Sequence, residues 1–176
     1  LAALTAVATG REVLRWEDDA GVTIGESPTL SVALAEGEAR RVVAVFNTLE
    51  FYVDSQEGDD ANDGTDAAAP LKTIQAAVAK AVSGDTIHVA AGVYEPISVG
   101  FKALTIAGAG AGDSVIDGGG TNRCATLGMG ANRTTLVGFT LRNGCAIYDY
   151  YNYTSGSDCG GGAYGGRLVA CEVTGN

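Results

Sequence analysis

Histidine, methionine and tryptophan each occur once in these 176 residues, proline three times and cysteine four times. One His and four Cys without a C-x-x-C pair are poor material for a zinc centre. No run approaches the roughly 18 consecutive apolar residues of a membrane-spanning helix. Basic residues are scarce, 11 against 21 acidic, for a net charge of −10. That balance argues against nucleic acid or an anionic membrane surface as partner. What is abundant is glycine, 26 residues, within a composition that is 46% hydrophobic. So much apolar material excludes wholesale disorder, and the length allows one to two domains.

Charge and glycine are unevenly placed. Residues 1–50 carry 8 acids and 4 bases, residues 51–66 carry six acids and no base, and residues 67–176 carry 7 of each. Four glycines fall in the first 50 residues and 22 in the rest. A boundary is therefore expected near residue 50, giving domains 1–49 and 50–176. The chain opens on Leu1 and closes on Val173-Thr174-Gly175-Asn176 without a finishing element. An internal fragment is expected, its C-terminal domain truncated.

In residues 1–49 the segments Leu4–Val7, Val13–Trp16, Thr29–Leu34 and Arg41–Phe46 have strand character, separated by turn formers. The sequence Leu4-Thr5-Ala6-Val7, then Leu14-Arg15-Trp16, Ser27-Pro28-Thr29-Leu30-Ser31-Val32 and Val43-Ala44-Val45-Phe46 resembles the bacterial cell-surface repeat of the internalin B-repeat type. The resemblance implies a partial small β module that serves as a spacer or contact module without catalysis. The alternative is an unrelated small β domain; in either case Trp16 is read as a core residue.

Past the boundary, Phe51–Val53 reads as a short strand and Asp54–Ala69 as an acidic loop. Pro70 then opens an expected helix of about 13 residues, with Leu71, Ile74, Val78, Ala81 and Val82 on one face and Gly84 just beyond its end. Beyond it, short apolar runs recur between glycine-rich turns. The segments around Ile106, Leu136 and Leu168 superimpose at separations of 30 and 32 residues. In the last two copies Phe139 matches Cys171 and Leu141 matches Val173, both pointing inward; Thr140 matches Glu172 and Arg142 matches Thr174, both outward. Three strands per period predict an all-β fold, a parallel β-helix whose coils share one interior. The helix before it is read as the plug over its first coil.

Residues 51–142 resemble the right-handed parallel β-helix proteins of the pectin-lyase-like superfamily. The likeness rests on Phe51-Tyr52-Val53-Asp54, Asp63-Gly64-Thr65, Pro70 through Val78, Gly84-Asp85-Thr86-Ile87-His88-Val89, Gly92-Val93-Tyr94, Leu104-Thr105-Ile106-Ala107-Gly108 and Val115-Ile116-Asp117-Gly118. It implies an N-terminal capping helix and the first coils of that fold. The same opening leads into polysaccharide lyases, adhesins and other surface solenoids, so fold does not choose between them.

In the lyases, as the resemblance implies, calcium on Asp or Glu acidifies a uronate C5 proton and a Lys or Arg removes it. No carboxylates fall in register for this here, and Arg142, beside Glu172 and Thr174, is the best candidate for a groove. Asp59, Asp60 and Asp63 suggest calcium as the one cofactor to consider, since hard cations take clustered oxygens. Their spacing fits neither an EF-hand nor a calcium β-roll, so a solvated acidic turn is the competing reading. His88 is read as an outer-face residue without an orienting partner.

Cys145 and Cys159 bracket a tyrosine-rich insertion, Ala146–Asp158. A disulfide closing it is one reading, for an exported protein, and two free thiols the other. Tyr148, Tyr150, Tyr151 and Tyr153 form the expected contact surface, since tyrosine stacks on sugars and is favoured at interfaces. The functional expectation is a secreted or cell-surface solenoid, adhesin-like or carbohydrate-contacting, with a polysaccharide or glycan as partner and no catalysis in this segment. The alternative is the front of a calcium-dependent polysaccharide lyase.

Overall fold

A computed structural model describes residues 2–4, 13–26, 30–32, 41–128, 133–146 and 161–176. The chain divides into two compact units, Leu1–Thr48 and Leu49–Asn176.

The first unit contains β1 (Ala2–Leu4), β2 (Val13–Asp18), β3 (Thr23–Gly25), β4 (Leu30–Val32) and β5 (Val42–Phe46). β2 lies between β3 and β5 in an antiparallel sheet, and β1 pairs antiparallel with β4. Trp16, on β2, is buried. β3 was not expected from the sequence. It forms because Asp18 turns the chain: its carboxylate accepts the N–H groups of Ala20 and Val22 at 3.0 and 2.9 Å.

The second unit is mostly β with one helix. Its strands are β6 (Glu50–Val53), β7 (Thr86–Val89), β8 (Gly92–Tyr94), β9 (Ile97–Ser98), β10 (Thr105–Gly108), β11 (Ser114–Asp117), β12 (Ala125–Thr126), β13 (Thr135–Val137), β14 (Thr140–Arg142), β15 (Ala163–Tyr164), β16 (Arg167–Val169) and β17 (Glu172–Thr174). From β7 onward, successive strands enter three parallel sheets in rotation. The orders are β16-β13-β10-β7-β6, β17-β14-β11-β8 and β15-β12-β9.

Register stacks like on like. Phe51, Ile87, Ile106, Leu136 and Leu168 are paired across the first sheet. Tyr94, Ile116, Leu141 and Val173 are paired across the second. These rows supply much of one continuous core. They are buried until the last circuit, where Leu168 is 37% and Val173 52% exposed. Three buried hydroxyl residues close the backbone between circuits. Ser114 Oγ donates to Ala90 O and accepts the Ala109 N–H, Thr134 Oγ1 donates to Lys102 O, and Thr140 Oγ1 accepts the Gly112 N–H. Thr140, expected to point outward, is therefore buried.

Two expected strands are each divided by a corner. Thr135–Leu141 bends at Gly138, φ 68°, and Leu168–Val173 at Ala170, φ 50°. Both residues occupy the left-handed region that glycine takes without steric cost.

The helix is shorter than the apolar spacing suggested. α1 spans Ile74–Lys80. Leu71 lies before it in a parallel bridge to Val53, its N–H donating to Tyr52 O and its carbonyl accepting from Asp54 N. Thr73 is the N-cap, its side chain accepting the Ala76 N–H at 3.1 Å. At the other end Lys102 Nζ donates to Val78 O at 2.6 Å, a cation on the last carbonyls. Asp85 accepts the Val82 N–H, and Val82 stays 42% exposed. Ile74, Ala77 and Val78 are the buried face of α1, which packs against β6, β7 and β9.

Candidate functional site

The outer face of the first sheet carries Glu50 and Tyr52 from β6 and His88 from β7. Tyr52 and His88 are register partners, so their rings stand side by side, 5.2 Å between centroids and 20° from parallel. The Tyr52 hydroxyl donates to Glu50 Oε2 at 3.0 Å. That hydrogen bond to the carboxylate, with burial and the nearby charges of Glu50 and Asp66, raises the Tyr52 pKa above its ordinary value. His88 Nε2 lies 3.6 Å from the same Glu50 oxygen, beyond hydrogen-bond length. This nitrogen is shielded from solvent and has no hydrogen-bond partner among the described residues.

Beside the rings opens a cleft of about 350 Å³. Ala107 and Gly108 of β10 line it next to His88, and Pro70 and Asp54 line it next to Tyr52. One Asp54 oxygen accepts the N–H groups of Gln56 and Glu57 at 2.8 and 3.2 Å. The cleft thus joins two stacked aromatic rings, small apolar residues and a carboxylate. Sequence reasoning missed the grouping because Tyr52 and His88 meet only through the pairing of β6 with β7. Matching Phe51-Tyr52-Val53 to Ile87-His88-Val89 is the signal that could have found it.

Arg142 is placed on β14 opposite Asp117 of β11. Its Nε donates to Asp117 Oδ2 at 2.9 Å, so its partner is the acid of the preceding circuit, although Glu172 is nearby in the next strand. Gly119 N–H, Asn143 Nδ2 and Arg142 all donate to Asp117 and hold its pKa below the usual carboxylate value. Arg142 therefore serves a corner cross-link and keeps an exposed edge.

Asp59, Asp60 and Asp63 are exposed and have separate tasks. Asp59 Oδ1 accepts the Ala61 N–H at 2.9 Å. Asp60 accepts the Lys72 and Thr73 N–H groups and the Thr73 hydroxyl, all at 2.9 Å. Asp63 lines an open hollow with Thr65 and Asp66. Among the described residues no three His, Cys, Asp or Glu side chains gather to hold a metal ion. Cys145 is exposed, whereas its suggested partner Cys159 and the tyrosines at 148, 150, 151 and 153 lie outside the described residues.

Residues 56–102 match a family model described as a protein of unknown function, DUF1565. No curated protein matches the chain.

Proposed function

We propose that residues 50–176 are the capping segment and leading coils of a right-handed parallel β-helix of the pectin-lyase-like kind. In this reading the protein is secreted or displayed at a cell surface, contacts a polysaccharide or cell-surface glycan, and catalyses nothing in this segment. The in-register stacking of three parallel sheets carries the reading. Such stacking sets outward side chains in rows about 4.8 Å apart, as in Thr86, Thr105 and Thr135 or Ser98, Thr126 and Tyr164. A fixed ladder of hydroxyl and aromatic groups suits a repeating polymer better than a single small molecule. Further support comes from the match at residues 56–102, to a family associated with β-helix surface proteins.

The test separates contact from cleavage. The full chain is incubated with a panel of acidic and neutral polysaccharides, with and without calcium, and followed by co-sedimentation and ultraviolet absorbance. Retention of at least one glycan without new absorbance is expected. Release of unsaturated uronides would replace this reading with a lyase. Replacing Tyr148, Tyr150, Tyr151 and Tyr153 by Ser should weaken retention while leaving the unfolding midpoint unchanged; a midpoint lowered by several degrees would assign those tyrosines to the core.

A further inference from the structure

The cleft over β6, β7 and β10 has a charge of its own. Asp54 lines it, and Asp66 is close enough to raise the Tyr52 pKa. Residues 51–66 carry six acids and no base. Among the described lining residues none is Lys or Arg. At about 350 Å³ the space stands near the lower limit of ligand pockets, about 300–1,000 Å³. It has room for one ring, not for a chain.

We propose that this cleft binds one amine-bearing sugar residue, its ring against Tyr52 and His88 and its ammonium group toward Asp54. The inference rests on the glycan-contact reading and narrows it. Rings of Tyr and His are apolar surfaces with polar edges, and Ala107, the register partner of His88, leaves the adjacent strand low enough for a ligand to lie across it. An ammonium group gains from an aromatic ring and from the Asp54 carboxylate. A uronate would set its own carboxylate against Asp54, the like-charge arrangement by which interfaces reject partners.

The experiment titrates a glucosamine tetramer, its N-acetylated counterpart and a galacturonate tetramer into the full chain by calorimetry, below about pH 7 so that the amine is protonated. The glucosamine tetramer should bind, the acetylated one markedly more weakly and the galacturonate not at all. Tyr52→Leu should lower affinity for the glucosamine tetramer about fivefold to tenfold, the loss of one aromatic contact. Tyr52→Phe, which keeps the ring, should retain most of it. Asp54→Asn, which keeps an oxygen to accept the Gln56 and Glu57 N–H groups, should weaken the glucosamine tetramer without affecting the acetylated one, which also guards against misfolding of Tyr52→Leu. Equal binding of acetylated and free-amine oligomers, or undiminished binding in Tyr52→Leu, overturns the cleft assignment and leaves glycan contact elsewhere standing. Failure of every saccharide in the wider panel overturns both.

Discussion

Asp60 spans thirteen residues of sequence to take both the backbone N–H and the side-chain hydroxyl of Thr73, each at 2.9 Å. Thr73 in turn caps α1 through the Ala76 N–H. The Asp60 carboxylate is therefore the fastener of the acidic loop to the start of the helix.

That fastening sets a pH dependence. Partial burial pulls the Asp60 pKa up, but the Thr73 and Lys72 donors outweigh it and hold it below the ordinary value. A depressed folded pKa contributes stability that is fully present above the unfolded value, about 4, and is lost as pH falls through the folded one. Asp60→Asn should cost about 0.5–1 kcal/mol at neutral pH, modest because the carboxylate is exposed. The deficit should shrink below about pH 4. Urea denaturation at a series of pH values checks this; a deficit constant into strong acid would mean that the charge contributes nothing.

Corners at Gly138 and Ala170 make opposite predictions. Ala170 carries a Cβ at φ 50°, so Ala170→Gly should stabilise by about 0.5–1 kcal/mol, the relieved strain being partly offset by greater freedom in the unfolded chain. Gly138→Ala imposes that strain at φ 68° and sets its Cβ 3.3 Å from Gly108 O. It should destabilise by at least as much. Denaturant midpoints that move in the same direction for both variants would contradict the argument.

Position along the stack should grade the core. Leu136→Ala empties a fully buried site and should cost about 2–5 kcal/mol. Leu168→Ala, one circuit later at 37% exposure, should cost about 1 kcal/mol, since it removes less buried area and leaves no closed cavity. Equal losses in thermal or urea unfolding would show that Leu168 is covered in solution.

The stacking of Ile106, Leu136 and Leu168 is legible in the sequence because each strand repeats its neighbour's pattern of apolar and polar residues around a corner. Strand rows need only a period and a turn. The helix is less legible. Leu71 fits its apolar spacing, yet its N–H and carbonyl are taken by Tyr52 and Asp54, and a bridge pattern overrides a helical one. Thr140 shows another limit: alternation places it outward, but nothing local reveals that Gly112 will reach over and bury its hydroxyl. The cleft was least visible, because Glu50, Tyr52 and His88 become a group only once β6 is laid beside β7.

The connections between the second and third sheets differ greatly in length. Residues 118–124 join β11 to β12, whereas residues 143–162 join β14 to β15, and Ala125 still pairs with Ala163. Pairing is thus indifferent to the number of residues that join the two sheets here. The corner between the first and second sheets varies less, from two residues, 138–139 between β13 and β14, to five, 109–113 between β10 and β11. Foreign peptides grafted between Gly144 and Gly161 should leave the circuits undisturbed, which makes one edge of this protein a ready carrier for displayed cargo.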